Sequence, residues 1–107
     1  GEYKTALRNG KWQFYTQYEI LESEGSYVNG VKEGKWVFNY EQGQIKRMQY
    51  FKNDRPNGAC KVYNEKGFVV NECNFKDGRL DGKYKIYDEQ GNLKQTQTFK
   101  NGARIEN

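Results

Sequence analysis

Apolar and polar positions alternate with a period of two along most of this chain. Trp36 and Phe38 sit among Lys35, Val37 and Asn39, and Tyr84 and Ile86 among Lys83, Lys85 and Tyr87. That is the pattern of β-strands with one face more apolar than the other. Short polar stretches ending in glycine interrupt the alternation: Tyr40-Glu41-Gln42-Gly43, Asn64-Glu65-Lys66-Gly67 and Asp88-Glu89-Gln90-Gly91. A type I turn closing on a glycine of positive φ accounts for them, because only glycine takes that conformation without strain. A four-residue loop of this kind predicts Phe38 opposite Ile45, Val62 opposite Val69 and Ile86 opposite Leu93. Helix is expected to be almost absent. Residues 11–24, the longest stretch without a turn signal, still keep the strand pattern and predict a hairpin with an irregular turn.

The alternation recurs every 24 residues without insertion. Gly10, Gly34, Gly58 and Gly82 share one column; Tyr3, Tyr27, Phe51, Phe75 and Phe99 share another. Trp12, Trp36, Cys60 and Tyr84 form a third, and Phe14, Phe38, Val62 and Ile86 a fourth. Leu21, Ile45, Val69 and Leu93 align, as do Gly43, Gly67 and Gly91, where the first row has Glu19. Such self-similarity marks a stacked repeat protein. Rows are joined by Asn29-Gly30, Asn53-Asp54, Asp77-Gly78 and Asn101-Gly102, the residue pairs of two-residue hairpin turns. The prediction is an all-β, single-layer antiparallel meander of about eight or nine strands in one domain. Its rows run over 3–26, 27–50, 51–74 and 75–98, with a partial row at 99–107.

The strings Gly34-Lys35-Trp36-Val37-Phe38, Gly43-Gln44-Ile45 and Tyr50-Phe51-Lys52-Asn53, with Gly82 through Leu93, resemble MORN-type repeats. They are most similar to the variant common in bacteria, G-x-W-x-x-Y-x-x-x-G-x-L followed by an aromatic residue and N-G. The resemblance covers residues 3–104. It implies a narrow, twisted β-meander and a non-catalytic role: bacterial relatives are often labelled antitoxin-like, and eukaryotic ones are scaffolds that meet membranes or partner proteins. Row three departs from the pattern at Cys60 and row one at Glu19, which puts the local loop geometry in question.

Composition narrows the chemistry. The 107 residues contain no histidine, so His-based general bases, Ser-His or Cys-His pairs and His metal ligands are excluded. Two cysteines make neither a disulfide framework nor a four-thiolate zinc site. Serine occurs at Ser23 and Ser26 with no base to activate it. Carboxylates recur, but in turns, with no insertion to build a pocket. The reading therefore assigns no enzyme activity, no catalytic residue, no metal, no cofactor and no small-molecule substrate.

Three features carry the candidate function. The first is one aromatic face, with Trp12, Phe14, Trp36, Phe38 and Tyr84 proposed to meet a partner; its bland alternative is simple core. A single sheet has nothing to cover that face, and large apolar patches mark contact sites. The second is a pair of lysine columns: Lys4, Lys52, Lys76 and Lys100, and Lys11, Lys35 and Lys83. Acidic loop residues and an even split of the net charge of +4 between the halves favour a solvated, self-balancing surface over nucleic-acid binding. The third is Cys60 and Cys73, which the predicted register makes diagonal neighbours, about 7 Å apart. Small apolar fillers are the leading reading; a disulfide needs a register shifted by two, and a reactive thiol has no base near it in sequence.

The resulting expectation is a non-catalytic scaffold that binds a protein partner, possible self-association included, through the aromatic face, loops or sheet edges. The alternative is a peripheral membrane or envelope protein that meets anionic surface through its lysines. The chain begins mid-row at Tyr3, which leaves room for a signal or anchor removed upstream; whether the natural chain extends there is left open. The compartment is left open.

Overall fold

The computed structural model describes residues 8–105. The columns at Tyr3 and Lys4 lie outside them. Ten strands follow in chain order: β1 (Gly10–Tyr15), β2 (Leu21–Val28), β3 (Val31–Asn39), β4 (Ile45–Lys52) and β5 (Arg55–Tyr63), then β6 (Val69–Lys76), β7 (Arg79–Leu80), β8 (Gly82–Tyr87), β9 (Leu93–Lys100) and β10 (Ala103–Ile105). All lie in one open antiparallel sheet in the order β1-β2-β3-β4-β5-β6-β8-β9-β10, with β7 and β8 both paired to β6. β7 and β8 are two pieces of one strand, broken at Asp81, so the expected meander is present. The slab measures 61 × 33 × 15 Å, and its short dimension is that of a single sheet with its side chains.

Type I′ turns join the repeats. Asn29 (φ 49°) and Gly30 (84°), Asn53 (51°) and Asp54 (69°), Asp77 (52°) and Gly78 (85°), and Asn101 (52°) and Gly102 (84°) are all left-handed, as that turn demands. A repeating clasp holds them. The second turn residue donates its N–H to the carbonyl 22 residues earlier: Gly30 to Arg8, Asp54 to Lys32, Gly78 to Pro56 and Gly102 to Leu80. The first donates to a side chain 20 residues earlier: Asn29 to Asn9, Asn53 to Glu33, Asp77 to Asn57 and Asn101 to Asp81. The acceptor column Asn9, Glu33, Asn57 and Asp81 is thus structural, and its oxygen-bearing side chains were its only mark in the sequence.

The loops within repeats correct the predicted register. Gly43, Gly67 and Gly91 have the expected positive φ (96°, 92° and 85°). However, each loop is followed by a bulge, so Asn39 pairs with Ile45, Tyr63 with Val69 and Tyr87 with Leu93. Beyond the bulge Phe38 faces Arg47, Val62 faces Asn71 and Ile86 faces Gln95. The loop closes one residue out from the predicted register and the bulge adds one more, a total shift of two that no composition signal announces. The first loop is regular rather than irregular. Glu19 takes the glycine position at φ 62°, and its N–H donates to the Thr16 carbonyl as Gly43 does to that of Tyr40.

Candidate binding face

One face of the sheet gathers the aromatic columns. Trp36 lies at its centre, with ring centroids of Tyr27 at 5.1 Å, Phe14 at 6.2 Å, Phe38 at 6.3 Å and Phe51 at 6.4 Å. Its indole N–H donates to the Ser26 carbonyl at 3.0 Å, which supplies the partner a buried Trp requires. Edge-to-face and offset pairs of this kind add stabilisation beyond area burial, about 0.5–1.5 kcal/mol each. Gly25 makes room: a Cβ there would stand 2.0 Å from Trp36 Cδ2.

The neighbouring pairs show a trade of volumes across the junctions between repeats. Large Trp36 meets Gly25; small Cys60 is the cross-strand partner of the fully buried Gln49. On the next junction Cys73 neighbours Tyr84. Gln49 is satisfied in place, donating to the Tyr50 carbonyl at 2.8 Å and accepting from Arg47 Nη2 at 3.2 Å.

A cation column borders the rings. The Arg8 guanidinium lies 4.9 Å from the Trp12 centroid and 5.5 Å from that of Tyr27. Lys32 Nζ lies 5.2 Å from Trp36 and 5.1 Å from Phe51. Cations over aromatic faces are attracted by the ring quadrupole. Pro56, facing Phe51, and Leu80, facing Phe75, hold the equivalent places further along.

The five residues singled out in the sequence share this face but not its exposure. Trp36 is 1% exposed and forms the floor. Trp12, at 36%, is open, because β1 is an edge strand with no neighbour on its outer side among the described residues. Phe14, Phe38 and Tyr84 are half-buried. The face is therefore a partly filled apolar surface with accessible rings around one buried tryptophan.

The opposite face separates charge in a way the even balance along the sequence hides. Lys11, Lys35, Lys61, Lys83 and Lys85 point there from strand interiors, with Lys52, Arg55, Lys76, Arg79 and Lys100 beside the type I′ turns. The acids ion-paired on this face are Glu24, 3.8 Å from Lys11, and Glu72, 3.7 Å from Lys61 and 3.9 Å from Lys85. Glu33, the cross-strand partner of Ser26, shares the face and is engaged by the Asn53 amide. Glu72 also accepts from Tyr87 Oη at 3.0 Å; partial desolvation, with this bond and the carboxylate's charge, pushes the Tyr87 phenol up. Most other acids sit in turns and loops. A recess of about 420 Å³ at the turn rim is lined by Lys52, Asn53, Arg55 and Asp77.

The cysteines also differ from expectation. Cys60 and Cys73 are direct cross-strand partners, not diagonal ones, as a consequence of the register shift. Both are free and buried.

Among the described residues no group of three or more metal-ligating side chains is found, and no helix is long and apolar enough to cross a membrane. No curated protein matches the chain. The MORN repeat variant family matches residues 32–53 and 80–101, the same segment two repeats apart. The two unmatched repeats are those that depart from the pattern at Glu19 and Cys60, although they fold alike. MORN repeats are commonly protein- or membrane-binding modules and a non-enzymatic scaffold type. The 24-residue hairpins, the glycine-closed loops and both matched segments agree: the chain carries repeats of the MORN variant type.

Proposed function

We propose that this protein is a non-catalytic scaffold that binds a protein partner through its aromatic face. The observation that carries the reading is the open apolar surface around Trp36. In a slab 15 Å thick no second layer covers it among the described residues, and Trp12, Phe14, Phe38 and Tyr84 present accessible ring surface. Rigid aromatic side chains on a preorganised sheet supply contact area at low entropic cost, which is why such residues dominate binding hot spots. Trp36 acts from below by fixing the rings that touch the partner. The antitoxin-like role implied by the resemblance is the same mode of action with a toxin as partner. The edges at β1 and β10 offer a second route, self-association.

The experiment is co-purification from the source cells with face-specific variants. Trp12→Ser, Phe38→Ser and Tyr84→Ser lose the partner, whereas Lys61→Ser and Lys85→Ser on the opposite face retain it. Equal retention by both sets overturns the proposal.

The segregated lysines favour a second reading, a peripheral protein that meets anionic lipid through the opposite face. A polybasic surface gains about 1 kcal/mol per Lys or Arg near an anionic membrane, and salt screens it. Cosedimentation with vesicles containing phosphatidylserine, strong at low salt and lost at high salt, supports that reading. No binding at low salt removes it.

A further inference from the structure

We propose that Cys60 and Cys73 form a modification site, a dithiol that a hydroperoxide closes into a cross-strand disulfide. The pair stands directly opposite across β5 and β6. Direct partners in an antiparallel pair have Cα atoms about 4.5–5.5 Å apart, inside the span that disulfides bridge, about 4.4–6.8 Å. Bond formation therefore asks for side-chain rotation and little backbone movement.

The same two places in the other repeats hold Trp12 with Gly25, Trp36 with Gln49 and Tyr84 with Gln97. The third repeat alone replaces both members, and with mutually facing thiols. Packing alone is met by any pair of small apolar side chains; two thiols in one register position, beside a cation, add chemistry. Arg47, on β4, is that cation, and its buried Nε has no hydrogen-bond partner.

The surroundings favour one thiolate on the pair. The Cys60 thiol is lowered to about 6, chiefly because Cys73 donates to it, with Arg47 adding to the effect and burial opposing it. Cys73, the donor, is raised correspondingly, with burial and the negative charges of Cys60 and Glu72 acting in the same direction and Arg47 against it. Tyr84 approaches from β8, and its own phenol is pushed up by burial and by both cysteines. Lowered thiols of this kind are the reactive ones.

The chemistry closes in two steps. The Cys60 thiolate attacks a peroxide oxygen; the O–O bond breaks, hydroxide leaves, and the sulfur becomes a sulfenic acid. The Cys73 sulfur then attacks Cys60 Sγ, losing its proton as the sulfenic oxygen departs, and the two leave as water. In total two thiols are oxidised and one hydrogen peroxide is reduced to two waters, counting the proton that the first hydroxide takes up. Both cysteines are buried, Cys60 at 3% and Cys73 at 9% exposure, but under side chains only, because no second layer covers the sheet. Rotamer motion of those side chains admits a molecule as small as peroxide.

The test exposes the intact protein to hydrogen peroxide over a range of pH and maps the products by mass spectrometry. The expected product is a monomer lighter by about 2 Da, its disulfide joining the tryptic peptides that carry Cys60 and Cys73. The rate rises with pH to a midpoint below the ordinary thiol value. Arg47→Met moves that midpoint upward. Cys73→Ser yields no 2 Da loss and accumulates a dimedone-reactive sulfenic acid at Cys60. If Cys73→Ser fails to fold, as judged by circular dichroism, the product map and pH profile of the unmodified chain decide. Thiols that stay alkylatable while Met48 oxidises, disulfides formed only between molecules, or a midpoint at the ordinary thiol value, about 8.5, overturn the proposal.

Discussion

Replacing Gly25 with alanine tests the packing logic of the whole aromatic face. The added Cβ would stand 2.0, 2.2 and 2.4 Å from three ring atoms of Trp36. A carbon–carbon contact needs about 3.5 Å, so the ring must retreat by about 1.5 Å. It has nowhere to go: it is 1% exposed and bounded by Phe14, Tyr27, Phe38 and Phe51. If the indole stays, overpacking costs about 1–3 kcal/mol; if it swings out, the lost burial costs about 3–5 kcal/mol. We expect about 3 kcal/mol or more, a large share of the roughly 5–15 kcal/mol that small domains possess. The protein carries its own compensating solution in the Cys73–Tyr84 neighbours. Gly25→Cys combined with Trp36→Tyr should therefore be more stable than Gly25→Cys alone, with a favourable coupling of about 1–2 kcal/mol. Urea titration followed by far-ultraviolet dichroism and by tryptophan emission reads both effects. A Gly25→Ala loss under about 1 kcal/mol, or a double variant no better than the single, would refute the reasoning.

Glu19→Gly should stabilise by about 1 kcal/mol, since the left-handed strain relieved outweighs glycine's entropy cost; an unchanged urea midpoint contradicts it. Gly67→Val should cost about 1–3 kcal/mol more than Lys66→Val, because a β-branched residue resists φ 92°. Acrylamide should quench Trp12 and leave Trp36 emission untouched, as shown by comparing Trp12→Phe with the unmodified chain. The Asp88 carboxyl is lowered, chiefly by the Asn92 backbone N–H it accepts, with the Asn92 side chain and Gln90 N–H assisting against partial desolvation. Its folded value lies below the unfolded one, so its contribution is full above the unfolded pKa, about 4, and disappears as pH falls through the folded value. Asp88→Asn should accordingly flatten the acid side of the stability curve.

The strand count, the repeat, the type I′ turns and the aromatic face were all legible in the sequence, because period, turn residues and column identity are local properties. The register beyond each loop was not. A loop longer by one residue and a bulge that adds another together moved Val62 from Val69 to Asn71 and Cys60 from diagonal to direct contact with Cys73. Glu19 misled for a related reason: side-chain identity spoke against a conformation that the neighbouring hydrogen bonds impose. The cation column at Arg8 and Lys32 was missed because Pro56 and Leu80 hold the same places and mask the pattern. Charge segregation was hidden because a count along the chain averages faces that the strand alternation pulls apart.

The clasp at the type I′ turns has a direction. The turn amides donate and their acceptors lie 20 or 22 residues earlier in the chain; the one bond that runs back is from Lys32 N–H to Asp54 Oδ1, at the second turn. On the ribosome, which releases the N-terminal end first, each turn emerges after the groups that will hold it. A growing chain can therefore set one repeat upon the last without waiting for residues still to be made, and contacts of such short sequence separation form quickly. Truncation from the C-terminal side removes donors and leaves carbonyl and side-chain oxygens facing water. Truncation from the N-terminal side instead strips acceptors from turn amides, starting with the hold of Arg8 and Asn9 on Gly30 and Asn29. Length in this architecture is thus most cheaply adjusted at the end that is synthesised last.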